Sequence, residues 1–206
     1  GDGYLRGLED RVRERRASGG SVGASVHLEP GWTLSAGVGA AGSDEAASDA
    51  EASWRLGLAT PSRHRLSGRI SVERRVVDET AALVATGVTS RRAAGSLNWR
   101  MAPGWRLSAG GSLAEFRGSE DNERRAGSVS GQRRLGPDWT LVVTARAFGF
   151  ERDLNDGYFD PDFYGQAEAT VRWSPDVGPW SFTAELSPGL QQVGSGGDVQ
   201  ETVRAT

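Results

Sequence analysis

The chain has 206 residues, 24 of them basic and 27 acidic, for a formal net charge of −3, and it contains no cysteine. One large β-domain fits that length, and the charge is too small to argue for a nucleic-acid partner. Without cysteine there are no disulfides, thiolate metal sites or cysteine nucleophiles, a usage compatible with the periplasm and outer membrane. No apolar run of 18 residues offers a transmembrane helix and no signal peptide is visible; the chain begins at Gly1 without Met, as it would had an export signal been removed.

Residues 1–19 read as a charged lead-in. Leu5, Leu8 and Val12 fall at helical spacing within residues 4–16, so a loop or short amphipathic helix is predicted there in preference to a strand. From residue 20 to 206 the period changes to two. Trp32, Leu34, Ala36, Val38 and Ala40 alternate with Thr33, Ser35, Gly37 and Gly39, and an apolar face opposed to a small or polar one defines a strand. Ala52, Trp54, Leu56 and Leu58 continue the pattern, followed by Leu66, Ile70 and Val72, then Leu97 and Trp99, then Trp105, Leu107, Ala109 and Leu113. The run from Gly127 to Gln132 is weak and is carried by its neighbours. Trp139 to Ala147 alternates clearly, with Leu141 taken as mid-strand, and Phe163 to Trp173 and Trp180 to Leu186 complete the series.

A Pro-containing turn feeding a Trp recurs at 28–37 (LEPGWTLSAG), 101–110 (MAPGWRLSAG), 135–145 (LGPDWTLVVTA) and 177–186 (VGPWSFTAEL). Such repetition reads as a train of β-hairpins. Links at 29–31, 60–63, 102–104, 136–138 and 174–179 are short and hold six of the eight prolines, and six of the seven Trp lie within four residues of one of them; Trp54 is the exception. The intervening links at 42–49, 74–91, 117–125 and 151–162 are long and polar. Strands of about ten residues, tight turns at one end and long loops at the other are the layout of a transmembrane β-barrel, with the Trp forming an aromatic girdle. The predicted fold is therefore all-β, an antiparallel up-and-down meander of about ten to twelve strands over residues 20–206. Bacterial single-chain barrels have even strand numbers, and the polar run 199–206 lacks a terminal aromatic, so a fragment of a larger barrel, incomplete at its C-terminus, is expected.

Catalytic and ligand motifs are weak. Gly37, Gly39 and Gly42 spell G-x-G-x-x-G, but only about seven residues separate them from the next strand, too few for a crossover helix. Asp153, Asn155, Asp156, Gly157, Asp160 and Asp162 resemble a calcium loop out of register, without the closing Glu, and read as a solvated acidic link. His27 and His64, with no G-x-S-x-G and no Lys, leave a hydrolase without its parts. Glu168 and Glu185 could face each other as a glycosidase pair, yet Arg146, Arg172 and Arg106 share their face type. No catalytic residue, metal site or cofactor is predicted. Arg55, Arg69, Arg100, Arg106, Arg146, Glu168, Arg172 and Glu185 are instead predicted to line a lumen, with Glu51, Glu73, Glu168 and Glu185 neutralising the arginines. A soluble sandwich would turn that face to water and bury the other, which is rich in Ala and Gly and would make a thin core; facing lipid it needs no jigsaw packing.

Gly157, Tyr158, Phe159, Pro161 and Phe163 resemble the GYF-x-P strand-opening motif in the C-terminal barrels of outer-membrane exopolysaccharide exporters of the cellulose and poly-glucosamine type, and the Pro-Gly-Trp turns are similar to those of that family. The resemblance implies a pore for a nascent exopolysaccharide in the outer membrane of a Gram-negative bacterium, with lipid and the polymer as partners and a periplasmic tetratricopeptide region or synthase complex beside it. Two other readings stay open on the residues alone: an outer-membrane anchor with a plugged lumen, and a soluble β-domain for adhesion or sugar binding.

Overall fold

A computed structural model describes residues 2–10, 13–43, 51–61, 65–77, 88–118, 120–154 and 159–205. Its strands are β1 (Asp2–Asp10), β2 (Arg13–Leu28), β3 (Trp32–Ser43), β4 (Glu51–Ala59), β5 (Leu66–Val76), β6 (Thr89–Ala102), β7 (Trp105–Arg117), β8 (Asn122–Arg134), β9 (Trp139–Phe150), β10 (Tyr164–Trp173), β11 (Asp176–Val177), β12 (Trp180–Ser181), β13 (Ala184–Val193) and β14 (Val199–Ala205). Twelve of these form one sheet in the order β1-β2-β3-β4-β5-β6-β7-β8-β9-β10-β13-β14, and β11 and β12 pair separately. Every neighbour is antiparallel, so the sheet is an up-and-down meander. Among the described residues β1 and β14 are not paired, and the sheet stays open.

The tight turns work as the repeated phrases predict. Gly31 (φ 105°) and Gly104 (φ 76°) adopt left-handed conformations beside Pro30 and Pro103, where a side chain is strained and glycine is not. Trp32 and Trp105 then open the returning strands.

Four expectations are corrected. Residues 2–10 and 13–19, predicted as loop or helix, are strand: Asp2 to Asp10 pair with Arg13 to Ser21. The helical spacing of Leu5, Leu8 and Val12 is a weak local preference, and a neighbouring ladder that pairs the backbone groups facing it overrides it. The link after β10 is no simple short turn, because Trp180 and Ser181 pair with Asp176 and Val177 in a small hairpin and β13 begins only at Ala184. The link between β7 and β8 is shorter than the sequence implied, since β8 starts at Asn122. Leu141, taken as mid-strand, sits two residues into β9 opposite Arg133, which itself opposes Trp105, so it shares the level of the turn-end Trp.

The two faces have an inverted environment. Along β3 the apolar positions Trp32 to Ala40 are exposed and the polar positions between them are half-buried. The same holds on β7, where Leu107, Ala109, Gly111 and Leu113 are exposed against sheltered Ser108, Gly110, Ser112 and Ala114, and on β13. Val38, Ile70 and Leu113 are 60%, 62% and 61% exposed, whereas Ser187 on the polar face is 1% exposed. Buried apolar residues among those described are Val77, Val88, Ala114 and Phe150, all near the long-link end. A water-soluble sheet protein packs its apolar face; this one presents it.

One close crossing fixes the route of the 151–163 link. A Cβ on Gly149 would lie 2.2 Å from the carbonyl oxygen of Asp162, while a Cβ on Gly131 would meet nothing within 4 Å. Gly149→Ala is expected to destabilise the fold by about 1–3 kcal/mol, the range for overpacking, and Gly131→Ala by much less. Urea unfolding followed by Trp fluorescence checks the difference, and equal midpoints for the two variants would contradict this crossing.

Candidate functional site

The predicted polar residues converge on one face because the register is continuous. Arg55 opposes Glu73 across β4 and β5, and Arg69 opposes Ser96 on β6. Arg100 opposes Arg106 on β7, Arg146 opposes Gln166 on β10, and Arg172 opposes Glu185 on β13. Glu168 opposes Gly189 on the same side. All eight predicted residues therefore share the sheltered face. Arg75, Arg92, Arg124, Arg134 and Arg204 lie there too by the same parity and were missed. They stand toward strand ends, where the apolar partners that made the alternation visible give out. Among strand residues from 52 to 205 this face thus carries eleven arginines and three carboxylates, Glu73, Glu168 and Glu185.

Those carboxylates are each held by arginine. Glu73 takes Arg55 at 3.0 Å and Arg92 at 3.9 Å, Glu185 takes Arg172 at 2.6 Å, and Glu168 takes Arg204 at 3.2 Å. The pairing the sequence implies at these three carboxylates is present, but among strand residues from 52 to 205 the arginines of this face outnumber its carboxylates. Glu168 and Glu185 do not face each other: Arg172 lies opposite Glu185, four residues along β10 from Glu168, an offset of about 13 Å at strand rise and wider than a glycosidase pair requires. The remaining surface is made of hydroxyl and amide groups, such as Thr144 with Ser130 at 3.2 Å and Ser108 with Asn98 at 2.8 Å. A cavity of about 880 Å³ runs along the face from Ser35 on β3 to Tyr164 on β10.

At the long-link end the polar face becomes aromatic. Phe148 stacks on Tyr164 with centroids 4.9 Å apart, and Phe159 stands edge-on to both at 6.2 and 6.1 Å. Phe150 extends the group to Phe116 at 5.5 Å, and the Arg124 guanidinium sits 4.3 Å from the Phe148 ring centre. Charge over a ring face is favourable by about 0.5–2 kcal/mol. The collar also ties down the following link, since Asn122 donates to the Arg152 carbonyl and accepts from its N–H. This cluster was only partly visible in the sequence, because Phe116, Phe148 and Phe159 come from three distant segments.

Other predicted features resolve simply. Gly37, Gly39 and Gly42 lie inside β3 between two antiparallel neighbours. His27 stands on the polar face opposite Thr33, and His64 lies outside the described residues. Of the motif residues, Gly157 and Tyr158 lie outside the described residues, as does the Asn155 to Gly157 part of the acidic link. Phe159 joins the collar, the Pro161 carbonyl accepts from Phe150 N–H at 2.9 Å, and Phe163 lines a groove on the apolar side with Ile70 and Leu113. Asp160 accepts from Leu154 N–H at 2.7 Å. Asp162 accepts from Ser195 Oγ at 2.5 Å and from Ser195 and Phe163 N–H groups. The Ser195 hydroxyl is the main reason its carboxyl stays below the ordinary aspartate range.

On the other face, Trp32, Trp99, Trp105, Trp139 and Trp173 line the short-turn end, with Trp139 stacked on Trp173 at 6.0 Å and Arg133 lying over Trp105 at 4.8 Å. Trp54 sits further up, opposite Val38 and Arg74.

With the geometry in place, the chain can be set beside known proteins. No family model matches it, and no curated protein matches it in sequence. Among solved structures it is similar to a protein titled "Bacterial polysaccharide outer membrane secretin", with a TM-score of 0.73 at 14% identity, over 93% of this chain and 66% of that one. That likeness is one of fold. The chain spans slightly less than two thirds of that protein's length. A NanC porin aligns with a TM-score of 0.46 at 12% identity, over 98% of this chain and 94% of that one.

The Asp162 contact gives a pH dependence with a definite sign. A carboxylate whose pKa is lowered by folding stabilises the contact above its unfolded value and loses it as pH falls through the folded value. The Ser195 amide is therefore expected to keep its hydrogen-exchange protection factor at neutral pH and lose it in acid, below the ordinary aspartate range. In Asp162→Ala the protection should be low at every pH. Protection that persists unchanged in the variant would contradict the contact.

Proposed function

We propose that the chain forms the wall of an outer-membrane β-barrel pore through which a nascent exopolysaccharide passes. The observation that carries this reading is the inverted environment of the two faces. An exposed apolar band with Trp along one end suits lipid and its interface, and a sheltered surface of arginine, hydroxyl, amide and aromatic groups suits a wet lumen. The shared fold with a polysaccharide outer-membrane secretin supports the same reading. Many weak contacts along a wall favour passage, whereas one tight site would stall it. The collar of Phe148, Phe159 and Tyr164 offers ring faces on which sugar rings can stack at the long-link end. In this reading the lumen is lined by Arg55, Arg69, Arg100, Arg106, Arg146, Glu168, Arg172 and Glu185, and a periplasmic helical-repeat region or a synthase complex delivers the polymer.

Gene deletion in a polymer-secreting host is expected to abolish secretion, and complementation with Glu168→Gln or Glu185→Gln to restore most of it. Normal secretion after deletion would sink the pore reading. Complete loss from one of these isosteric changes would point instead to an enzyme.

Depth on the apolar face gives a second expectation. Trp105→Arg at the turn end should cost about 0–1 kcal/mol and Val129→Arg at mid-strand about 2–4 kcal/mol, because the penalty for a lipid-facing charge falls toward the interface. Refolding titrations in lipid vesicles measure both, and equal costs would argue against a membrane band.

A further inference from the structure

We infer that the transported polymer is anionic, a polysaccharide bearing carboxylate or sulfate groups, and that the arginine wall is its track. The inference rests on the pore reading above and names the substrate class. Its basis is the segregation of charge by face. The whole chain carries 24 basic and 27 acidic residues and looks nearly neutral, yet among strand residues from 52 to 205 the sheltered face carries eleven arginines against three glutamates.

Much of the balancing acid lies in sequence between strands, in Asp44, Glu45 and Asp49, in Asp78 and Glu79, in Glu120 and Asp121, and in 151–162. A wall needing only solubility or neutral hydrogen bonding gains nothing from that excess, since like charges in a confined space repel. Arg100 and Arg106 lie directly opposite each other across β6 and β7. Rings of arginine are how pores select anions, and a guanidinium binds carboxylate or sulfate bidentately. The three glutamates keep the field from becoming a trap. Each engages an arginine at 2.6 to 3.9 Å and so breaks the positive wall into steps between which a polyanion can be handed on.

The test uses the full-length protein in two formats. In planar bilayers under a KCl gradient, the reversal potential should report anion selectivity, and oligogalacturonate should block the current at concentrations at least about 10-fold lower than cellohexaose or a chitosan hexamer, given the size of focused-field effects. In detergent, calorimetry should show the same order of binding without requiring an open pore. Arg69→Gln with Arg106→Gln should weaken oligogalacturonate by several-fold and leave cellohexaose unchanged. A cation-selective current, or equal block and binding by all three oligomers, would overturn the inference and leave the pore reading intact. Selective oligogalacturonate binding without any conductance would uphold the anion-binding arginine surface and overturn the pore reading.

Discussion

Successive side chains of a strand leave the sheet on opposite sides, and antiparallel pairing carries that choice from one strand to the next. In this protein one ladder joins twelve strands, with a register shift recorded at the turn end of β6 and β7 beyond Arg100, so the assignment of faces is carried from strand to strand. A one-residue slip at any strand would send its arginines to the apolar side and its leucines to the polar side. The continuity of the ladder is thus what turns scattered residues such as Arg55, Arg106 and Arg172 into one surface.

That constraint explains why the protein manages with so little apolar core. Val77, Val88, Ala114 and Phe150 are buried, while Val38, Ile70 and Leu113 are left outside. Backbone pairing, two tight turns with left-handed glycines and the aromatic collar hold the shape, and the solvent for the apolar face completes the energetics. In lipid every backbone polar group must find a partner within the protein, a condition the ladder meets along its interior strands. The polar face is then free to be specified by charge and hydrogen bonding, and its excess of arginine is tolerated because the face is open along a cavity and not close-packed.

Much of this was legible in the sequence, and the failures have physical reasons. The alternation from Trp32 onward located the strands, and the Pro-Gly-Trp phrases located the tight turns, because both depend on local chemistry. The strand at residues 2–10 was not legible, since its formation depends on the neighbour that pairs with it and not on its own pattern. The hairpin at Asp176 to Ser181 was hidden for the opposite reason: Trp180 fits the alternation of the strand that follows. On the polar face, Arg69 and Arg146 were evident beside clear apolar partners, whereas Arg92 and Arg124 stand where the neighbouring apolar positions become Arg91 and Arg125. The collar was only partly legible, because Phe116, Phe148 and Phe159 meet only through the register.

The account stands on which face meets lipid, and the absence of cysteine from the chain makes that directly measurable. Single cysteines placed one at a time from Arg106 to Glu115 on β7, labelled with a nitroxide in lipid vesicles, can be scanned for collision with oxygen, which partitions into lipid, and with a water-soluble nickel complex. The account predicts oxygen maxima at Leu107, Ala109, Gly111 and Leu113 and nickel maxima at Ser108, Gly110 and Ser112, two period-two profiles exactly out of step. Profiles in phase, or with the two quenchers exchanged, would contradict it.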